Sequence, residues 1–199
     1  PDVDESLAKD MRKVLDDHGV RCAMMGLWGY NHISPDAQEK AEALECLGRA
    51  IDLAQILGAE VFTTGGGDIP EAPMERKAEA FCETMPPYVE RVEAAGMVPA
   101  FYAVHSRSFF DSIEAYRAVW EKLPQVRIKY DPANWRHHGS DYLAIARHCG
   151  DKIGHVHIKE HLYHDGDLAS QPAAGMGDIE FGKVMAFLYE HDYHGYLVM

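Results

Sequence analysis

The chain has 199 residues, of which 47% are hydrophobic, so it can bury a sizeable core. Its formal net charge of −13 and its lack of any basic run argue against nucleic-acid binding, which depends on clustered cations. Its sequence has no apolar stretch of membrane-spanning length, no signal-peptide pattern and no Cys-x-x-Cys pair, so we expect a cytoplasmic protein that acts away from membranes.

The first third of the chain alternates helical and strand-like patterns. Apolar residues over 7–15 recur at helical spacing, and an apolar run at 21–29 predicts the first strand. A second helix is expected to begin at Ser34, its N-cap, with Pro35 in the first helical position and Gly58 as its C-terminal cap.

The same alternation continues through the middle of the chain. Residues 60–67 and 97–105 read as strands. The helical segment between them, 74–95, is expected to break at Pro86 and Pro87, because proline removes an intrahelical donor and clashes with the preceding turn.

A further helix over 111–123 opens with Asp111 and Glu114, which are spaced like a capping box. It is followed by a predicted strand at 126–131 and a short helix over 140–148.

The last fifty residues repeat the pattern once more. They contain a predicted strand at 152–160, a helix over 177–191 and the start of a sixth strand at 196–199. The histidines in the turn-like segments between them, such as His161 and His164, are interpreted as solvated loop residues, as is His137.

Strands that alternate with helices through short connections predict a parallel sheet with right-handed crossovers. An open doubly wound sheet and a closed (β/α)8 barrel both satisfy this pattern. Polar residues close nearly every predicted strand, as they do at the active-site rim of a barrel, and this favours the barrel. These residues are Trp28, Thr64, Gly65, Gly66, His105, Asp131, Asn134, His157 and Lys159. Six strands are visible, so we expect residues 1–199 to form one TIM-barrel domain that is incomplete at both ends.

The segment GHVHIKE places His155, His157 and Lys159 at alternate positions. On a strand this spacing puts all three side chains on one face, and Val156 and Ile158 on the other. Two imidazoles and an ammonium group on one face have little use in a core and indicate a metal or an anionic substrate.

Four segments resemble the sugar phosphate isomerase/epimerase superfamily, the xylose isomerase-like TIM barrels of the AP endonuclease 2 type. They are YDPANW (130–135), IGHVHIKE (153–160), GMGDIEF (175–181) and GYLVM (195–199). The likeness follows the strand order of nearly the whole chain. It implies a barrel enzyme that acts on a small carbohydrate or polyol and often forms dimers or tetramers.

In such enzymes two glutamates, an aspartate and a histidine hold one divalent ion. The resemblance puts the aspartate at Asp131 and the histidine at His157, and a carboxylate with an imidazole suits Mn²⁺, Mg²⁺, Co²⁺ or Zn²⁺. His155, one pleat deeper, is expected to orient a ligand. Lys159 and Asn134 are expected to contact substrate oxygens.

Two further candidates for substrate binding lie earlier in the chain. Trp28 is expected to serve as a platform for a sugar ring, against the alternative that it is simply packed. Gly66 is expected to let the backbone approach a ligand closely, although glycines after a strand often just make a turn.

The chain departs from the family pattern at both glutamates. The first should close strand 97–105, which contains no acid and ends in His105, here a candidate ligand or substrate contact. The second would follow Met199 directly. No general base can therefore be assigned, and Glu160 and His105 are the candidates near the rim.

The leading hypothesis is a metal-dependent isomerase or epimerase that works through an enediolate-type intermediate. A lyase or dehydratase of the inosose or C-glycoside type would use the same metal site. An endonuclease IV-like nuclease would need a multi-zinc cluster and a basic rim, which the sequence lacks. A catalytically degenerate barrel subunit is the remaining alternative, because the glutamates are missing.

Overall fold

A computed structural model of the protein describes residues 4–102 and 107–199. The chain divides into two compact units, residues 1–126 and residues 127–199. His105 lies outside the described residues. The assignment of the whole chain to one domain stays a prediction.

The first unit contains five helices and three strands among its described residues. The helices are α1 (Glu5–Asp17), α2 (Ala37–Leu57), α3 (Met74–Thr84), α4 (Pro86–Ala94) and α5 (Ile113–Trp120), and the strands are β1 (Met24–Leu27), β2 (Val61–Thr64) and β3 (Val98–Tyr102). β2 pairs in parallel with both β1 and β3. The carboxyl ends of the strands therefore meet, with Leu27 opposite Thr64 and Thr64 opposite Phe101.

Two predicted helix starts are wrong by one or two residues. Asp36, not Ser34, caps α2, because its carboxylate accepts a hydrogen bond from the Glu39 N–H at 2.8 Å, whereas the Ser34 hydroxyl accepts one from the Asp36 N–H. Ser112, not Asp111, caps α5. Each helix is capped by a polar side chain, as predicted, but the side chain that caps it lies closer to the first turn than the predicted one: the Asp36 carboxylate in α2 and the Ser112 hydroxyl in α5.

Other predicted features of the first unit are confirmed. Gly58 ends α2 in the left-handed conformation, at φ 66°. The helical segment is interrupted between α3 and α4, as predicted. Pro86 takes the first position of α4, where its missing N–H leaves no hydrogen bond unmade.

Aromatic side chains fill the core of the first unit. Phe81 lies edge-on to Phe101 and to Phe110, with ring centroids 5.0 and 5.3 Å apart. Phe110 stacks on Tyr116, whose hydroxyl donates to the Phe101 carbonyl at 2.7 Å. This apolar cluster fixes β3 against α3 and α5 and thereby holds the strand ends in register.

The second unit contains three helices of the α type and five strands. The helices are α6 (Pro132–His137), α7 (Tyr142–Cys149) and α8 (Phe181–Glu190), and the strands are β4 (Arg127–Tyr130), β5 (Ile153–His157), β6 (Leu162–His164), β7 (Asp167–Ser170) and β8 (Leu197–Val198). β5 pairs in parallel with β4 and β8, and Lys129 stands opposite His155. A register irregularity between Ile128 and Lys129 interrupts the β4–β5 ladder.

Three elements of the second unit were not predicted. α6 begins directly after Asp131, and β6 and β7 form an antiparallel hairpin. The hairpin turns at Asp165 and Gly166, both with positive φ (52° and 89°), as a type I′ turn requires. The Asp-Gly pair was the available signal. In the described part of the chain, no helix combines the length and the apolar character needed to cross a membrane.

Candidate metal and substrate site

The chemistry of the second unit is concentrated where β4 ends. Lys129 and Asp131 are two residues apart on an extended chain, so their side chains share one face. Both are buried, with 2% and 4% of their surface exposed, and the Lys129 ammonium lies 3.5 Å from Asp131 Oδ2. Tyr130, between them, instead donates its hydroxyl to the Tyr142 carbonyl at 2.9 Å.

Asp131 is held by the helix that it starts. Its Oδ1 accepts the Asn134 backbone N–H at 3.1 Å, and its Oδ2 accepts the Asn134 side-chain N–H at 2.9 Å. Asn134 Oδ1 in turn accepts a hydrogen bond from Lys159 Nζ at 2.9 Å. A continuous polar chain, here called the lysine–carboxylate network, thus runs from Lys129 through Asp131 and Asn134 to Lys159.

The two histidines of β5 lie next to this network. Their ring centroids are 5.3 Å apart, as expected for residues on one face of a strand. His155 is fully buried, and neither of its ring nitrogens has a hydrogen-bond partner within the part of the chain that the structure describes. His157 Nδ1 lies 3.8 Å from Asp131 Oδ2.

Burial and positive charge keep both imidazoles neutral. Burial lowers the pKa of His155 and of His157 to about 4, and the Lys129 ammonium lowers both further in the same direction. Asp131 acts in the opposite sense on His157. Burial also lowers the pKa of Lys129 itself, an effect that Asp131 opposes and Lys159 reinforces.

Asp131 and His157 fit a shared divalent ion. Two metal–ligand bonds of about 2.1 Å can span the 3.8 Å between Asp131 Oδ2 and His157 Nδ1. The neutral imidazole is the form that binds metals. Within residues 4–102 and 107–199, however, no group of three or more His, Cys, Asp or Glu side chains is placed to hold an ion. Further ligands would therefore have to be water or substrate oxygens, or side chains outside these ranges.

Glu160 anchors a loop. Its Oε1 accepts the backbone N–H groups of His161 at 2.9 Å and Ile179 at 3.0 Å, and its Oε2 accepts that of Gly175 at 3.0 Å. Both carboxylate oxygens are thus engaged in holding the 175–179 segment. Its role as a general base stays a prediction, and its contacts indicate positioning instead.

The interpretation of His161 as a solvated loop residue is wrong, since only 1% of its surface is exposed. Its Nδ1 lies 3.3 Å from the Tyr163 hydroxyl, which is also 3.2 Å from His137 Nδ1. Tyr163 is fixed by the Asp178 carboxylate, which accepts its backbone N–H at 2.7 Å. In the sequence, the only sign of these contacts among His137, His161 and Tyr163 was the alternate spacing of His161 and Tyr163, which is a weak signal. Sequence reasoning also missed Lys129.

The strand ends of the first unit carry neutral groups. Trp28 is 44% exposed and stacks on Tyr102 with ring centroids 4.4 Å apart, so one face of an aromatic pair is presented there. The Gly66 N–H donates to the Ser108 hydroxyl at 3.0 Å, and a Cβ at Gly66 would lie 2.7 Å from the Phe110 ring. Gly66 is therefore required for packing. Its role in substrate binding stays a prediction, as does that of Trp28.

A comparison with protein-family models decides the family. The model described as xylose isomerase-like TIM barrel matches residues 1–199, the entire chain. The chain belongs to this family. The predicted family and barrel fold class are thereby confirmed, and Asp131 and His157 are residues of a xylose isomerase-like TIM barrel.

Solved structures support the same fold for this xylose isomerase-like chain. A xylose isomerase domain protein from Planctomyces limnophilus matches with a TM-score of 0.78 and 17% identity, over 98% of this chain and 74% of that one. A D-tagatose 3-epimerase-like protein matches with a TM-score of 0.78 and 19% identity, over 97% and 75% of the two chains.

A third structure, an IOLI protein with a binding zinc atom, matches with a TM-score of 0.76 and 14% identity, over 92% of this chain and 68% of that one. No curated protein sequence gives a significant match. At these identities the three structures establish the fold, and the activity has to be argued from the residues of the site.

Proposed function

We propose that the protein is a metal-dependent isomerase or epimerase that acts on a small sugar, sugar acid or polyol through an enediolate-type intermediate. The observation that carries the proposal is the Asp131–His157 pair, a carboxylate and a neutral imidazole 3.8 Å apart in a xylose isomerase-like barrel. An epimerase-like protein and a zinc-containing protein among the structural relatives support the same class of chemistry.

Asp131 and His157 would hold the ion, with its identity among Mn²⁺, Mg²⁺, Co²⁺ and Zn²⁺ left open. An ion held there would supply Lewis-acid chemistry: it would make a neighbouring substrate C–H more acidic and would stabilise the negative charge that develops. Because burial and Lys129 keep the pKa of His157 near 4, its imidazole is available as a ligand at neutral pH.

Other side chains of the site would orient the substrate. Lys159 and Asn134 are already hydrogen-bonded to each other and can donate to hydroxyl or carbonyl oxygens. His155 would support the orientation of His157, since the two rings lie 5.3 Å apart on one face of β5.

Elemental analysis of the purified chain, reloaded with Mn²⁺ and dialysed, tests the proposal. We expect about one ion per chain in the wild type and at least a tenfold lower content in Asp131→Asn and His157→Phe, since each variant loses one of two protein ligands. Asp141→Asn is the matched control, because Asp141 also caps a helix of the second unit and is exposed to solvent.

Two outcomes would show the proposal to be wrong. One is a wild type that retains no Mn²⁺, the result expected of a catalytically degenerate barrel. The other is retention that is unchanged in both variants. If metal is retained, incubation with ketoses and inososes separates isomerisation or epimerisation from dehydration, because only dehydration changes the mass of the product.

A further inference from the structure

A second group of nitrogen and oxygen donors lies where the end of α6 meets the β6–β7 hairpin. The Tyr163 hydroxyl is 3.2 Å from His137 Nδ1 and 3.3 Å from His161 Nδ1. These three side chains are here called the imidazole–phenol cluster. The cluster shares no residue with the proposed Asp131–His157 ion site.

The three rings of the cluster surround one point. The two imidazole centroids are 5.5 Å apart, and the Tyr163 centroid is 6.3 Å from that of His137 and 6.0 Å from that of His161. Around an ion with tetrahedral bonds of about 2.1 Å, neighbouring donor atoms are about 3.4 Å apart and two imidazole centroids about 5 Å apart. The separations within the cluster are close to both values. One ion could therefore bind all three donors after small movements of the side chains.

The backbone holds two members of the cluster in place. The Asp178 N–H donates to the His161 carbonyl at 2.9 Å, and the Asp178 carboxylate accepts the Tyr163 N–H at 2.7 Å. Glu160 Oε1 accepts the His161 N–H at 2.9 Å. Because these hydrogen bonds fix the chain before any ion binds, they reduce the entropy that binding would cost.

The cluster is one proton short of satisfying both imidazoles in the same way. A tyrosine hydroxyl has a single proton, so it can donate to only one of the two Nδ1 atoms at a time. Burial lowers the pKa of His161, which is 1% exposed, and the neutral imidazole is the form that binds metals. Burial raises the pKa of Tyr163, so its hydroxyl keeps the proton until an ion displaces it.

The charged side chains around the cluster favour a cation. Among the described residues, those that act on the pKa of His161 or Tyr163 include more carboxylates than cations. The carboxylates are Asp131, Glu160 and Asp178, and the cations are Lys159 and Arg136. An ion bound here would thus meet an excess of negative charge in a partly buried environment, where attraction between charges is strengthened.

We propose that His137, His161 and Tyr163 bind a divalent transition-metal ion that prefers nitrogen ligands. Cu²⁺ and Zn²⁺ are such ions, and Cu²⁺ binds most strongly to a given site of this kind. The Tyr163 hydroxyl would release its proton to water, and its oxygen and the two Nδ1 atoms would each form one bond to the ion. Mn²⁺ lies at the weak end of the same order of affinities, so the cluster would discriminate against it.

Titration of the metal-free protein with Cu²⁺, followed by absorption spectroscopy, tests the assignment without any turnover. A phenolate bound to Cu²⁺ gives a charge-transfer band in the visible range, whereas imidazole and carboxylate ligands alone do not. We expect this band in the wild type from the first addition of Cu²⁺. His157→Phe, which removes a ligand of the other proposed ion site, should keep it.

Tyr163→Phe is the principal variant, because it removes the donor oxygen and keeps the ring over which Arg136 lies at 4.7 Å. We expect it to abolish the band and to weaken Cu²⁺ binding at least about tenfold. His137→Gln, at an exposed residue, should weaken binding to a similar extent. His164→Gln is the matched control, because His164 lies on the same hairpin with its side chain 83% exposed, and it should keep both the band and the affinity.

A wild type without the band would overturn the assignment, as would a band that persists in Tyr163→Phe. Equal Cu²⁺ affinity in His137→Gln and the wild type would also overturn it. The retention of Mn²⁺ is a separate measurement. A chain that shows the band but retains no Mn²⁺ would contradict the proposed function alone, and a chain that retains Mn²⁺ without the band would contradict the imidazole–phenol site alone.

Discussion

His32 in the first unit and His155 in the second are both fully buried, and both have a pKa of about 4. The causes differ. Burial is responsible at His32, whose Nε2 lies 2.9 Å from the Thr64 hydroxyl, a neutral partner at the end of β2. At His155 burial acts together with the Lys129 charge, and neither ring nitrogen has a partner among the described residues.

The difference is that a buried charge acts on the pKa of His155 and none acts on that of His32. The His32 imidazole joins the loop before α2 to β2 through the Thr64 hydroxyl, and no charged group contributes to its low pKa. The His155 imidazole stands opposite the buried Lys129, and its two ring nitrogens have no partner among the described residues. Folding alone does not favour such an environment, because buried charges and unpaired polar atoms cost free energy. Such costs accumulate where a ligand binds.

The largest expected effect on stability comes from removing Asp131, the carboxylate next to the buried Lys129. Asp131→Ala should lower the free energy of unfolding by about 3 kcal/mol, because it leaves the Lys129 ammonium without its carboxylate and removes the cap of α6. Chemical denaturation measures the change.

Asp141→Ala is the comparison for this variant. Asp141 caps α7 in the same way, its carboxylate accepting the Ala144 N–H at 2.9 Å, but it is exposed. Its loss should cost about 1 kcal/mol. Equal losses in the two variants would show that Asp131 acts only as a helix cap.

A second prediction uses pH to isolate His32. Its pKa in the folded protein, about 4, lies below the value of about 6.5 in the unfolded chain. As pH falls below that value, the unfolded state binds the proton first, so stability present above pH 6.5 is lost down to about pH 4. His32→Gln should remove this contribution, about 1.4 kcal/mol per pH unit, from the slope of stability against pH.

Thr64→Val is the control. It removes the hydroxyl partner and keeps the imidazole, so it should lower stability by about 1 kcal/mol at every pH while the slope stays as in the wild type. If His32→Gln leaves the slope unchanged, then the pKa of His32 is the same in the folded and unfolded states. His32 would then not share the lowered pKa of His155.

The last prediction concerns two glycines of the second unit. A Cβ at Gly177 would lie 2.6 Å from the Glu160 carboxylate and the His161 carbonyl, whereas a Cβ at Gly182, within α8, would meet nothing within 4 Å. Gly177→Ala should destabilise the protein by about 2 kcal/mol, because the anchored loop must shift. Gly182→Ala should stabilise it by about 1 kcal/mol, because alanine favours the helix. Thermal unfolding measures both changes. A higher unfolding temperature in both variants would contradict the role of Glu160 in holding the 175–179 segment.

The sequence by itself determined the family, the alternation of strands and helices, and the face shared by His155 and His157. Periodicity and local motifs are properties of neighbouring residues, so Gly58, the break at Pro86 and the strand at His155 could all be predicted. The exact helix caps could not, because Ser34 and Asp36 are both suitable N-cap residues and only the folded geometry selects between them.

The tertiary structure decided which polar residues share an environment. Lys129 looks like any lysine of an alternating strand until β4 and β5 pair and place it, buried, opposite His155 and within reach of Asp131. Glu160 matches a rim acid in sequence, yet the fold commits its oxygens to three backbone N–H groups, two of which belong to the distant residues Gly175 and Ile179. Burial and long-range pairing set the charge and the freedom of a side chain, and neither can be read from the residues next to it in the chain.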